Sequence, residues 1–453
     1  MYKNLCLFIF FISLIATTFI TQSVYGKNTG LKLIRDSEIE RTIRNYAAPL
    51  LKAAGIPESS VGIHIVNNDK INAFVFNGLN IYINSGLIIK SNGIGELTGV
   101  LAHEIGHLEG AHLVRSRDAI NNLENELLLS RILAILTGTV ASDSTTAKDA
   151  STAIIIGGSS SAKKRFFRYT QAQEQAADQA ALRYLDMTKQ SAYGFMDLLR
   201  RLEKQELLSS ERRDPYSSSH PETSSRIILV SNHLSKSLFT EKKYSKESEL
   251  LYKRMVFKLR AFISDPEKVI DSLHSSSDSF ASRYAQIIAL YRMDDSINAI
   301  NKLDKLINEF PSDPWLYELK GQILFETGNI DESISPYEKS VQLAPKEFLI
   351  RLALARAIIE SDNALILPDA ISHLKIATLL EPDYAPIWHF LGVANGRIEN
   401  YSSSHLAFAE ASFLRGQKKR ALHHAKLAIE LLTPDSPEIN RANDIIMTLE
   451  ESH

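Results

Sequence analysis

Apolar positions recur every three or four residues from Leu31 to Ala54 in "LKLIRDSEIERTIRNYAAPLLKAAG", a spacing that predicts an amphipathic helix stopped at Gly55 and followed by Pro57. The next stretch, "SVGIHIVNNDKINAFVFNGLNIYINSGLI", alternates and is rich in Val, Ile, Phe and Tyr. It reads as strands, with Asn77-Gly78 as a two-residue hairpin turn. Helical spacing returns in "GIGELTGVLAHEIGHLEGAHLVRSR". "LENELLLSRILAILTGTVA" is apolar over a length too short to span a bilayer, and reads as a buried helix in preference to a surface-seeking segment. The Ser/Thr/Gly-rich "SDSTTAKDASTAIIIGGSSSAKK" is a loop or helical hairpin, helix resumes at "YTQAQEQAADQAALRYLDM", and "LLSSERRDPYSSSHPETSSR" is again loop. From about Lys236 to Ser276 the pattern is charged helix, and a domain boundary belongs there.

The C-terminal third repeats itself. Pro311, Pro345 and Pro382 each follow an apolar helix, at intervals of 34 and 37 residues. A period of 34 with a proline closing each second helix is the tetratricopeptide signature. Alignment on those prolines puts Gly321, Gly328 and Tyr337 in one unit, Ala370, Leu374 and Ala377 in the next, and Trp388, Leu391, Gly392, Phe408 and Ala411 in a third. Small residues at such places let paired helices approach, and large ones fill the gaps between pairs. The irregular "RGQKKRALHHAKLAIELLTP" caps the array. A generic helical bundle is the alternative; either way the region is all-helical and offers a surface to a protein or peptide.

The N-terminal "MYKNLCLFIFFISLIATTFITQSVYG" runs from one early lysine through an apolar core, Leu5 to Ile20, to small and polar residues ending at Gly26. That order is a secretory signal peptide, with Val24 and Gly26 ahead of the cleavage site, in preference to an uncleaved anchor. Cys6 is the chain's one cysteine and lies in that core, so a mature protein has none for disulfides and relies on packing or a metal. A chain of 453 residues holds two or three domains, and 44% hydrophobic with 23% charged residues is the composition of folded protein. A formal net charge of −2 gives no reason to expect nucleic acid or an anionic membrane as the main partner.

Candidate chemistry concentrates in "LAHEIGHLEGAHLV", where His103, Glu104, His107, Glu109 and His112 fall within ten positions. His103 and His107 are four apart, about 400° of helical rotation, so both imidazoles project from one side and can reach one Zn²⁺. Glu104 is displaced around the helix and can reach a metal-bound water instead. Zinc acidifies that water and polarises a carbonyl, while the carboxylate takes the proton and passes it to the leaving amine. H-E-x-x-H on a buried helix, after a strand pair and in an exported chain, reads as a zinc hydrolase. A metzincin would place a histidine at position 113, which is Leu113. His112 points off the ligand face and reads as a packing or hydrogen-bonding residue, and Glu109 as a solvated charge. A distant carboxylate is needed, and "EQAAD" supplies it: Glu174 can face the metal, and Asp178, one turn on, can hydrogen-bond a ligand histidine.

"HEIGH" and "EQAAD" together resemble peptidase family M48, zinc metallopeptidases with H-E-x-x-H followed by E-x-x-x-D on a later helix. "INAFVFNGLNIYINSGLI" is similar to the family's stretch ahead of the zinc helix, and "SHPETSSRI" to its later His-Pro and Arg pattern. The resemblance implies one zinc ion per subunit held by His103, His107 and Glu174, with Glu104 as general base. It implies for His220 either the fourth zinc position in a resting state or a hydrogen bond to the tetrahedral oxyanion, beside the option of a loop histidine with no role. Arg226 pairs with Asp178 or steadies the loop, beside the option of an ordinary surface arginine.

With a signal peptide and repeats, the arrangement is similar over almost the whole mature chain to periplasmic members of the family that act on outer-membrane proteins. That implies an exported zinc endopeptidase that degrades misassembled outer-membrane proteins and assists their assembly. Its partners would be those protein substrates and, through the repeats, the outer-membrane barrel-insertion machinery, with peripheral membrane contact and no nucleic acid. The other function class is a repeat-based periplasmic chaperone or adaptor whose peptidase is latent. A membrane-embedded relative acting on lipidated peptides is disfavoured, because no run past the signal reaches spanning length. The expected fold is an α+β zincin-like metallopeptidase domain, mostly helical with a small sheet, followed by an all-α tetratricopeptide-repeat solenoid. The expected divisions are signal peptide 1–26, peptidase 27–235, helical linker 236–276 and repeats 277–453. The strands flanking Asn77-Gly78 offer an edge to which an extended substrate adds as another strand.

Overall fold

The computed structural model describes residues 31–76, 78–110, 160–206, 216, 220, 223–273, 279–361 and 363–451. The readings of the signal peptide, Cys6, Asn77, His112 and the apolar segments between 123 and 159 lie outside the described residues. The chain divides into two compact units, Leu31–Arg35 with Ile39–Arg260, and Asp36–Glu38 with Ala261–His453.

The first amphipathic run is not one helix. Leu33–Ile34 form strand β1, and helix α1 covers only Ser37–Ala53. Leu33 and Ile34 pair with Val66 and Ile65 of β2 (Gly62–Val66), so their apolar side chains are buried by a sheet partner that helical spacing does not reveal. α1 buries Ile39, Ile43, Ala47, Leu50 and Leu51 along one face. It stops at Gly55, whose φ of 71° lets its N–H reach the Lys52 carbonyl while that of Ile56 reaches Leu51, a Schellman cap that glycine adopts without strain.

β3 (Ala73–Val75) and β4 (Asn80–Asn84) complete a four-stranded sheet in the order β1-β2-β4-β3. β2 and β4 run parallel, while β3 is antiparallel to β4 with Phe74 opposite Tyr82, which leaves β3 at an edge. Phe76 donates to the Asn80 carbonyl (3.0 Å), so the hairpin connection spans positions 77–79, one longer than the expected two-residue turn. Gly78 takes a positive φ of 86°.

A short helix α2 (Ser85–Lys90) leads into α3 (Ile94–Glu109), which carries "HEIGH". α3 buries Leu97, Val100, Leu101, Ala102 and Ile105 on several sides, because α4 (Ser160–Met187) and α5 (Tyr193–Glu206) both pack on it. Glu96 in its first turn accepts from Asn92 N (3.1 Å) and Arg201 of α5 (2.6 Å), tying the start of α3 in place. The approach of α4 depends on Gly106: a Cβ there would stand 2.7 Å from the Ala177 carbonyl oxygen and 3.0 Å from its Cα. α6 (Thr223–Leu234) packs on α4 and α5, and α7 (Lys246–Ile263) follows.

After α8 (Pro266–Leu273) the second unit is a succession of antiparallel helices: α9 (Phe280–Arg292), α10 (Ser296–Glu309), α11 (Pro314–Glu326), α12 (Ile330–Leu343), α13 (Phe348–Glu360), α14 (Leu367–Leu380), α15 (Ala385–Arg397), α16 (Tyr401–Leu414), α17 (Lys418–Leu431) and α18 (Pro437–Glu450). Each packs on its neighbours in sequence, as in a tetratricopeptide-like solenoid. A Cβ on Gly321 would lie 2.8 Å from the Tyr337 ring, and one on Gly392 2.9 Å from the Phe408 ring, so these glycines set how closely each helix pair can meet. The 37-residue interval arises from the 3₁₀ turn Ala364–Ile366, which precedes α14. Among the described residues no helix is long and apolar enough to cross a membrane.

Candidate metal centre

The i, i+4 spacing on α3 sets His103 Nε2 and His107 Nε2 3.1 Å apart. Because Gly106 admits α4, Glu174 comes within 3.2 Å of His103 Nε2 and 3.3 Å of His107 Nε2. His220 adds its Nδ1, 3.1 Å from His103 Nε2 and 3.1 Å from Glu174 Oε2. Four potential ligand atoms, each from a different side chain, thus lie within 4.8 Å of one another and could hold one metal ion.

Behind them lies a buried ion pair. His103 Nδ1 faces Asp178 Oδ1 at 2.7 Å, and Asp178 accepts from Arg226 Nε (2.8 Å) and Nη2 (2.9 Å). Arg226, 2% exposed, lies over the rings of Phe195 (5.6 Å) and Tyr216 (5.9 Å) and donates to the His220 backbone carbonyl (3.3 Å). Burial raises the Asp178 carboxyl, but Arg226 and His103 outweigh it and bring it to about 2. Burial likewise raises Glu174, and the three surrounding imidazoles hold it well below the usual carboxylate range. His103 is pushed down by burial and by Arg226, yet Asp178 and Glu174 carry it up to about 9. His107 is lowered by burial. The carboxylates therefore favour positive charge at His103, and a cation bound among them would take over from that proton.

Glu104 is fully buried, and among the described residues neither carboxylate oxygen has a hydrogen-bond partner; His220 Nε2 stands 3.4 Å from Oε1. A buried carboxylate left in that state is costly unless something else uses its lone pairs. His220 Nε2 is also 3.3 Å from the Ala73 carbonyl on β3. Asn72 O accepts from Asn84 N of β4, so the carbonyls of Ile71 and Ala73 point to the free edge. Tyr216 N–H takes the first (3.3 Å) and His220 the second, so at these two positions the edge expected to be open is covered.

Glu109 is not simply solvated: it accepts from Arg183 (2.8 Å) and from the Tyr184 hydroxyl. Two side chains at the site were not anticipated from sequence. Phe195 lies 5.9 Å from the His103 ring, and Tyr216 lies 4.3 Å from the His220 ring. Tyr216 had a signal, since it precedes His220 by four residues and His220 N–H bonds back to its carbonyl (2.8 Å).

Residues 34–233 match the sequence profile of Peptidase family M48. The chain is 25% identical over 395 residues to the beta-barrel assembly-enhancing protease of Yersinia pestis, covering 86% of this chain and 79% of that protein. It is 23% identical over 396 residues to the protein of that name from Escherichia coli (strain K12), covering 86% and 78%. Among solved structures, the human IFIT1 dimer with m7Gppp-AAAA aligns over 94% of this chain and 89% of that one at 12% identity, with a TM-score of 0.31 too low to carry an argument.

Proposed function

We propose, on the match of residues 34–233 to Peptidase family M48, that the chain acts as an exported, zinc-dependent endopeptidase. The observation that carries the reading is four converging ligand atoms beside a buried carboxylate with no hydrogen-bond partner among the described residues. Zinc bonds of about 2.0–2.1 Å to nitrogen and oxygen in a tetrahedron set the ligands about 3.3 Å apart. His103 Nε2 lies 3.1 to 3.2 Å from His107 Nε2, Glu174 Oε2 and His220 Nδ1, close to that figure, while His107 meets Glu174 through its other oxygen, Oε1, at 3.3 Å; a donor set rich in imidazole suits zinc over the oxygen-preferring cations.

His103, His107 and Glu174 would hold the ion, with His220 Nδ1 at the fourth corner of a resting state. When bound, zinc supplies the Lewis acidity that activates a water and polarises the scissile carbonyl. Glu104 accepts the proton and delivers it to the leaving amine. Asp178, fixed by Arg226, holds the His103 ring through Nδ1 and so leaves Nε2 available to a metal ion, which it would ligate when one is bound. An extended substrate adds to the free edge of β3, where its main chain replaces Tyr216 N–H and His220 Nε2 on the carbonyls of Ile71 and Ala73. Recognition is then largely main-chain and tolerant of sequence.

The names of the two relatives support assistance to β-barrel assembly as the wider role; misassembled outer-membrane proteins as clients and the periplasm as compartment belong to this proposal, with the signal-peptide-like order of residues 1–26 behind export. In this reading residues 27–235 cut, 236–276 link, and 277–453 dock clients or the barrel-insertion machinery. The test is caseinolysis and metal content of the mature chain. Glu104→Gln should abolish cleavage with zinc retained, and cleavage surviving that change would sink the peptidase reading. His220→Ala should raise activity without loss of zinc, whereas a fall would assign His220 to the oxyanion instead.

A further inference from the structure

We propose that α15, α16 and α17 carry a docking surface for an acidic segment of a protein partner. His389 of α15 and His424 of α17 flank one aromatic ring of α16, and His405 of α16 meets His424. Phe408 lies 5.6 Å from the His389 ring and 5.4 Å from that of His424, and His405 Nδ1 meets His424 Nδ1 at 3.0 Å. His423 stands beside them, 5.4 Å from His424. The stretch "RGQKKRALHHAK", residues 415–426, adds five lysines and arginines and no acid, in a chain whose formal net charge is −2. The first turn of α17 accordingly contains no acidic residue, so its positive end carries further positive charge.

Arg415 and Arg420 act on one another and on the imidazoles beside them, disfavouring further positive charge there. Arg415 is held down by burial and then by Arg420; His389 by burial and then by Arg415 and Arg420; His424 by burial and then by His405, His423 and Arg420. Elsewhere in the same unit arginines are neutralised in place, Arg441 by Glu410 and Arg283 by Glu309. The positive charge here rests on the arginines and lysines of residues 415–426, and a surface of one sign focuses the field that draws in the opposite charge. The side chains of His389, Phe408 and His424 are half-buried, which suits a carboxylate on a flexible side chain better than a planar headgroup layer. Metal binding is a poorer use of the histidine pair. Among the described residues the one group of three or more ligands is that of His103, His107, Glu174 and His220, and Arg420 repels a cation.

The inference deepens the reading of the repeats as a docking module, and its test involves no catalysis. Fluorescein-labelled hexaglutamate is titrated into the full chain carrying Glu104→Gln, with fluorescence anisotropy as readout. Saturable binding is expected, weakened by salt, with hexalysine inert. Arg415→Glu with Arg420→Glu should weaken binding about tenfold or more, as should Lys418→Glu with Lys419→Glu if the first pair fails to fold. Lys302→Glu with Lys305→Glu, the same charge change on exposed positions of α10, should leave it within about twofold. Absence of hexaglutamate binding, equal weakening by the α10 pair, or sedimentation with phosphatidylglycerol vesicles in place of peptide binding would each overturn the proposal. Any of these leaves the peptidase reading standing, and loss of caseinolysis in the unmutated chain leaves this one.

Discussion

Gly106→Ala sets two effects against each other with opposite signs. Alanine is the better helix former by about 1 kcal/mol, so if α3 were an isolated helix the change would stabilise it. In the folded chain the new methyl stands 2.7 Å from the Ala177 carbonyl oxygen, where ordinary contact begins at 3.4 Å, so α4 must retreat by about 0.7 Å. Overpacking of this kind costs about 1–3 kcal/mol, so the net effect on unfolding is a loss of about 0–2 kcal/mol. The effect on the site is larger. Ala177 sits between Glu174 and Asp178, so its retreat carries both carboxylates away from His103 and His107, where metal sites tolerate about 0.2 Å. Misplacement of this order costs about 10²-fold in rate. Zinc affinity by competition with a chromogenic chelator and kcat/KM on casein should both fall steeply while thermal unfolding moves little. Because the clash is with backbone atoms, adding Ala177→Gly should not rescue either. A Gly106→Ala protein that is more stable and equally active would show that α4 does not approach α3 as described.

Other consequences are open to measurement. Asp178 is depressed from 3.8 to about 2, so its contribution to stability is present above pH 3.8 and is lost as pH falls towards 2. That difference is worth about 2 kcal/mol. Arg226→Met leaves that carboxylate buried without its partner and should cost about 3–5 kcal/mol in denaturant unfolding, with acid stability showing no further drop near pH 3. In the repeats, burial raises Glu326 from 4.5 to about 7 against the attraction of Arg356, so the folded unit is most stable below pH 4.5 and weakens as pH rises towards 7. Glu326→Gln should therefore stabilise the repeats at pH 8 and not at pH 4, by up to about 3 kcal/mol, read as a higher melting temperature at pH 8 alone; an equal gain at both would refute the assignment. Stripping metal with a chelator should lower the melting transition of the peptidase unit and leave that of the repeats where it was.

What the sequence made legible was local. His103, Glu104 and His107 sit within one helical turn, so their mutual geometry follows from the rise and twist of a helix alone. "EQAAD" is legible for the same reason, and the structure brings Glu174 and Asp178 to the two ends of one imidazole, that of His103. The repeat period is equally local, and its one irregular interval is the inserted turn Ala364–Ile366. Misread features depend on partners far along the chain. Leu33 and Ile34 have helical spacing but gain burial only by pairing with Val66 and Ile65. Gly106 occupies an unspecified position of H-E-x-x-H, and its necessity appears only once Ala177, seventy-one residues later, packs against it.

His220 was the least legible residue, and in the proposed reading the chemistry of its two ring nitrogens explains why it matters. Nδ1 turns to Glu174 and His103 while Nε2 turns to the Ala73 carbonyl, so one side chain fills the ligand cluster and covers the substrate edge together. A substrate strand reaching β3 must displace His220 from Ala73 and Tyr216 from Ile71. Each hydrogen bond has a net worth of about 0.5–1.5 kcal/mol, so opening costs about 1–3 kcal/mol before any substrate contact forms. A segment that pairs along β3 regains both bonds and adds its own, whereas a folded surface that cannot extend regains neither. The threshold would therefore select for exposed, extended chain, which is what distinguishes a misassembled barrel strand from one already paired on both sides.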